Sequence, residues 1–166
     1  ALLFTLEGLD EDITAESDAL RAVLANAHAP ALLPVDNLSA TAQWAAFLGS
    51  GGDTATLVRV ALPPGRVGEL WGQLPAAVQA QAAWCVDVGN HLLYARADLD
   101  ATTAATWLAA LRKPALALGG YAVVLASPHA NLDRWGYTPD TLEVMAAIKQ
   151  RWDAKGVLNP GDFVLR

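Results

Sequence analysis

Cysteine is nearly absent from this chain of 166 residues, and Cys85 by itself can build neither an intramolecular disulfide framework nor a cysteine-rich metal site. That usage suits a reducing compartment, so a cytoplasmic location is the expectation. Cys85 sits in the apolar run "AWCVDVG", where a buried, inert thiol is the default. Positive charge is also scarce. Eleven Lys and Arg against seventeen Asp and Glu leave a formal net charge of -6, and the pI is near 4.8. Nucleic acid and anionic membrane surfaces demand a basic footprint, so neither is an expected partner. No apolar run approaches the length of a membrane span, and no charged-then-apolar leader with a cleavage signal opens the chain. The histidines His28, His91 and His129 are scattered without metal-ligand spacing, and no metal site is expected. Neither a nucleophile elbow nor a glycine-rich dinucleotide fingerprint after a strand is present. The run "GSGGD" lacks the Lys-Ser/Thr of a phosphate-cradling loop and precedes a strand, so it reads as a connector.

What is present is apolar mass. At 54% hydrophobic and 17% charged residues, the chain can bury a core as one domain or one compact duplicated unit spanning 1–166. It starts on Ala1 with a strand-like run at once, the pattern expected of a domain trimmed from something longer. Acids crowd the start (Glu7, Asp10, Glu11, Asp12, Glu16, Asp18), whereas Lys149, Arg151 and Lys155 collect near the end. The acids suit a solvated helix N-terminus, which favours negative charge.

Periodicity supplies the elements. "LLFTLEG" reads as a strand, followed by a helix from Asp10 to about Asn26 with the stripe Ile13, Leu20, Val23, Leu24 and Ala27. After the extended piece "PALLPV", a second helix starts near Asn37 or Ser39 and carries Ala40, Trp44, Phe47 and Leu48. "TATLVRVAL" is a strand, stopped by Pro63-Pro64 before a helix with Val67, Leu70, Trp71 and Leu74. "AAWCVDV" and "HLLYARA" flank Gly89-Asn90, a hairpin signal. Asp100 caps a helix with Ala104, Trp107, Leu108 and Leu111, which Pro114 should close, and "GYAVVLAS" is a further strand. Thr138 and Pro139 read as N-cap and first residue of a last helix with the core stripe Leu142, Met145, Ile148 and Trp152. Trp44, Trp71, Trp107 and Trp152 read as core anchors. The hairpin implies an antiparallel or mixed sheet with helices packed on one face, an α+β layout with ferredoxin-like elements.

Strand alternation then says what lines the other face. Val58, Val60 and Leu62 turn toward the helices, so Arg59 turns away, as do Tyr94 and Arg96, with Asp87, Glu7 and Thr5 as neighbours. Two readings stay open: the solvated face of an open sheet, or the wall of an anion-binding cavity. Arginine's planar fork suits a carboxylate, and a tyrosine beside it can exchange a proton with a substrate hydroxyl.

The C-terminal stretch "LEVMAAIKQRWDAKGVLNPGDF" ends a helix and runs into a Lys-Gly-x-Leu-Asn-Pro-Gly-x-Phe motif. It resembles the C-terminus of FAD-linked oxidases of the vanillyl-alcohol oxidase type. With "LLFTLEG", "VRVALPPG" and "VVLASPHANLDRWG", the whole chain is similar to the C-terminal part of the FAD-binding subunit of glycolate oxidase, the E subunit. The resemblance implies a cap domain that covers the flavin held by an N-terminal FAD-binding domain, and that domain's phosphate-binding segments are absent here. The chain alone is therefore expected to bind FAD weakly or not at all and to be inactive by itself.

The resemblance further implies that Asn159 and Gly161, in the Asn-Pro-Gly turn, contact the cofactor, with Phe163 and Leu165 lying back against the core. It makes Arg59, Tyr94 and Arg96 binders of an anionic 2-hydroxy acid. Partners implied are the chain's own FAD-binding domain and flavoprotein and iron-sulfur subunits. The sequence departs from the related D-2-hydroxy-acid dehydrogenases, whose His-rich metal motif has no match here. A non-catalytic subunit assembling with another flavoprotein chain is the alternative.

Overall fold

The computed structural model describes residue 6 and residues 8–29, 37–49, 54–161 and 164. They belong to two compact units, Ala1–Ser50 and Gly51–Arg166. The expected strand at 2–8, apart from Leu6 and Gly8, lies outside the described residues, as do "PALLPV", Phe163 and Leu165.

The first unit contains helices α1 (Asp10–Asn26) and α2 (Asn37–Gly49). Asp10, Glu11 and Asp12 occupy the first turn of α1, where they oppose the positive end of the helix dipole. Ile13, Leu20 and Leu24 are half-buried. Val23 and Ala27, expected on the same stripe, are exposed, because a helical step of one residue turns Val23 well away from Leu24. In α2 the rings of Trp44 and Phe47, one turn apart, stack at 6.2 Å.

The second unit is an α+β fold. Strands β1 (Thr56–Ala61), β2 (Ala83–Asp87), β3 (Leu92–Ala97) and β4 (Tyr121–Ala126) form one sheet in the order β2-β3-β1-β4. Every pairing is antiparallel, so the sheet has no parallel part. Helices α3 (Val67–Gln73) and α4 (Ala76–Ala80) fall between β1 and β2, and α5 (Ala101–Ala117) falls between β3 and β4. This is the βαββαβ order of ferredoxin-like folds. The core is a single layer between sheet and helices, in which Val58, Val60 and Leu93 of the strands meet Leu70, Trp107 and Leu111 of the helices. In the two central strands, β1 and β3, burial alternates residue by residue, as a sheet covered on one face requires.

Several boundaries differ from the sequence expectation. Pro114 does not close α5, which runs to Ala117. Proline forfeits one backbone hydrogen bond, but burial of Leu111 and Ala115 holds the last turn. The helix ends at Gly119 (φ 78°), with Gly119 N–H donating to Leu116 and Gly120 N–H to Ala115, a Schellman termination. A Cβ at Gly120 would collide with the Ala61 carbonyl oxygen, so the close approach to β1 requires glycine there. The β2–β3 turn is longer than two residues. His91 adopts φ 57°, and the Asp87 carboxylate accepts from both the backbone and the side chain of Asn90.

The last helix, α6 (Leu142–Trp152), starts three residues after Pro139, since 139–142 forms a turn closed by Leu142 N–H to the Pro139 carbonyl. No residue of α6 is buried, and Ile148 and Trp152 of its expected core stripe are exposed. Leu142 and Met145, at its start, are half-buried. Of the four tryptophans expected as anchors, only Trp107 is buried, its indole N–H donating to the Val78 carbonyl. Trp84, on the helix side of β2, packs edge to face on Trp71 and tilted against Trp107. No described helix is long and apolar enough to cross a membrane.

Candidate functional site

The strands bring the three sheet residues singled out in the sequence onto one face, away from the helices. Arg59 pairs directly with Tyr94 across β1 and β3, and Leu57 pairs with Arg96, which places the two arginines on a diagonal. Directly opposed residues share a face, so Cys85, opposite Tyr94, and Ala83, opposite Arg96, belong to it. On the other side of β1, Val123 faces Arg59 and Tyr121 faces Ala61. A bulge between Leu57 and Val58 places Leu125 out of register, and Leu125 and Ala126 are exposed beyond it. Asp87 lies at the hairpin end of the face, its carboxylate committed to Asn90. Thr5 and Glu7 lie outside the described residues.

A loop after β4 completes this face with residues that alternation alone did not assign to it. Arg112 of α5 donates through Nε to the Ala122 carbonyl and through Nη2 to the Asp133 carbonyl. Val124 N–H donates to the Arg134 carbonyl, so the loop runs along the free edge of β4. Gly136 (φ 68°) rests against the Arg112 guanidinium, and a Cβ there would collide with it. The chain then turns Tyr137 onto Tyr121, the rings stacking at 5.0 Å, with Trp135 tilted against Tyr137 at 6.3 Å. Burial, then the neighbouring Tyr121, pushes the Tyr137 phenol above its ordinary range against the opposing charge of Arg59. A phenol shifted in this direction keeps its proton at neutral pH, where its O–H is able to donate a hydrogen bond. The signal for Tyr121 was its parity with Val123 in "GYAVVLAS". Tyr137 had none, because its position depends on Arg112 reaching across from another element.

The arginines are short of partners. The Nε atoms of Arg59 and Arg96 are both shut off from solvent without a hydrogen-bond acceptor. Neither arginine takes part in an ion pair among the described residues. Buried donors are nearly always satisfied, so two unsatisfied guanidinium nitrogens on one face mark a place suited to an acceptor that the described residues do not supply. Cys85 is half-buried instead of buried, and burial, then the negative charge of Asp87, raises its thiol above the ordinary value. It is a poor nucleophile there.

Asn159 and Gly161 are not brought to this face. Both adopt left-handed backbone conformations (φ 47° and 82°) and border a recess of about 330 Å³ beside α6, which no residue of the open face lines. Asp153, missed in the sequence, organises this end of the chain. Its carboxylate accepts from the backbone N–H of Val157 and Leu158 and from Lys149 Nζ, which also donates to the Leu158 carbonyl. The hydrogen bond from Lys149 is the main cause that lowers the Asp153 pKa below its ordinary value. The pattern Lys149-x-x-x-Asp153 before Gly156 was the available signal. The recess is too small to enclose a flavin dinucleotide, and Lys149 beside it is already engaged with Asp153 and the Leu158 carbonyl.

A second recess, of about 560 Å³, lies between α5 and residues 131–133 and is lined in part by Arg112 and Asp133. Among the described residues, no group of three or more His, Cys, Asp or Glu side chains is placed to hold a metal ion. No protein-family model, curated protein or solved structure matches this chain.

Proposed function

We propose that this chain is the cap part of an FAD-dependent oxidoreductase of the glycolate oxidase E-subunit type, with the open sheet face as the wall that binds a 2-hydroxy acid. The observation that carries the reading is the pair of buried, unsatisfied guanidinium nitrogens of Arg59 and Arg96 on that face. Each arginine offers a planar fork for a carboxylate, and neither forms an ion pair among the described residues. Tyr94, opposite Arg59, and the protonated Tyr137 stand beside them to orient the substrate hydroxyl. The flavin, held outside this chain, supplies the hydride acceptor. The residues here bind the acid and orient its hydroxyl.

Steady-state kinetics of a flavin-loaded protein containing this chain test the reading. Arg59→Ala should raise KM roughly tenfold or more, the equivalent of losing one charge-assisted hydrogen bond. Unchanged KM and kcat would remove the proposal.

A second reading, an assembly subunit without chemistry of its own, is favoured by a different observation. Val144, Ile148 and Trp152 lie on one face of α6, and Val157 and Leu158 follow it, all more than half exposed. Co-purification with a second flavoprotein, lost on Trp152→Glu while the Arg59→Ala protein still assembles, would select this reading.

A further inference from the structure

We infer that the acid bound on the open face is a dicarboxylate, with one carboxylate for each arginine. The inference rests on reading that face as an acid-binding wall and adds the substrate class. An Nε–H leaves the side of the guanidinium, so a carboxylate reaches it in the side-on fork, one oxygen on Nε and the other on an adjacent Nη. One such fork uses both oxygens of a carboxylate. A monocarboxylate therefore satisfies Arg59 or Arg96 and leaves the other Nε without an acceptor, as both are now.

Placement agrees with the atom count. Arg59 and Arg96 stand on the diagonal of the β1–β3 ladder, where positions are separated by about 7–8 Å. That separation suits two groups joined by a short carbon chain. The charge on the face agrees as well. Asp87, the carboxylate that strand pairing assigns to this face, is held by Asn90 and pairs with neither arginine. Two positive charges thus face outward without a described counter-charge, and a dicarboxylate neutralises both. The Nε atoms are closed to water, so engagement requires each arginine to turn about its long stem.

Titration of the full chain at fixed ionic strength with malate, glycolate and inorganic phosphate tests the inference by calorimetry. Malate should bind roughly tenfold or more tightly than glycolate, a difference equal to one additional charge-assisted pair. Arg59→Ala and Arg96→Ala should each bring malate down to the glycolate level with an unchanged circular dichroism spectrum. Arg59→Lys and Arg96→Lys should lose the same advantage, because an ammonium keeps the charge without the fork. Malate binding no tighter than glycolate, phosphate matching malate, or lysine variants that keep the malate advantage would each overturn the inference and leave the acid-binding reading in place. Failure of both glycolate and malate to bind would remove that reading and the inference together.

Discussion

Helices α5 and α6 carry nearly the same sequence pattern and meet opposite fates. In α5 the apolar positions Ala104, Trp107, Leu108 and Leu111 are all buried against the sheet and its neighbouring helices. In α6 the positions Leu142, Met145, Ile148 and Trp152 also recur every three or four residues, yet none is fully buried and Trp152 is 80% exposed. Amphipathic spacing thus states which side of a helix is apolar and leaves open what covers that side. For α5 the cover is the strand pair β1 and β4. For α6 the described residues cover only the first half of the stripe and leave Ile148 and Trp152 exposed, and the second reading of function starts there.

The largest test of this contrast is a matched pair of tryptophan truncations. Trp107→Ala removes a fully packed indole and its hydrogen bond to Val78, and should lower unfolding free energy by about 3–5 kcal/mol in urea. Trp152→Ala should change it by less than about 0.5 kcal/mol, as expected of a side chain that touches little. Equal losses would show that α6 is covered in solution. Next, Arg112→Met strips the Ala122 and Asp133 carbonyls of their donor, at roughly 1–3 kcal/mol each, and frees the loop that carries Tyr137. Hydrogen exchange at Val124, whose N–H donates to Arg134, should accelerate in parallel.

A smaller effect is expected from Gly136→Ala, about 1–3 kcal/mol, since the residue sits at φ 68° and its new Cβ would displace the Arg112 guanidinium. The Tyr121–Tyr137 stack should loosen, and ultraviolet titration should find the Tyr137 phenol back toward its ordinary pKa. The mildest perturbation is acid. The Asp153 pKa is lowered in the folded chain, so its contribution is complete above the unfolded value of about 4 and is lost as pH falls through the lowered folded value. Exchange at the Val157 and Leu158 amides should rise in that window before the sheet core responds, and Asp153→Asn should abolish the pH dependence.

Legibility followed the range of the forces involved. Alternation in "TLVRVAL" and "HLLYARA" was enough to place Arg59, Tyr94 and Arg96 on one face, because a sheet has a period of two and its buried side fixes the phase. Asp100 was legible as a cap because it acts on Thr102 and Thr103, its near neighbours in the chain. Tyr137 was not legible, since its position depends on Arg112 reaching over from α5. The exposure of α6 was not legible either, as periodicity carries no record of a partner. Pro114 misled because its local preference to stop a helix yielded to the burial of Leu111 and Ala115 around it.

The hydrogen bonds gathered by Asp153 have a consequence for association. They tie the backbone of Val157 and Leu158 to the end of α6, where Trp152 is exposed as these two side chains are. Whatever docks there meets a surface whose backbone entropy was surrendered during folding, and the encounter need not order it. The final turn of the chain is preorganised for contact, even though its apolar side chains remain in water.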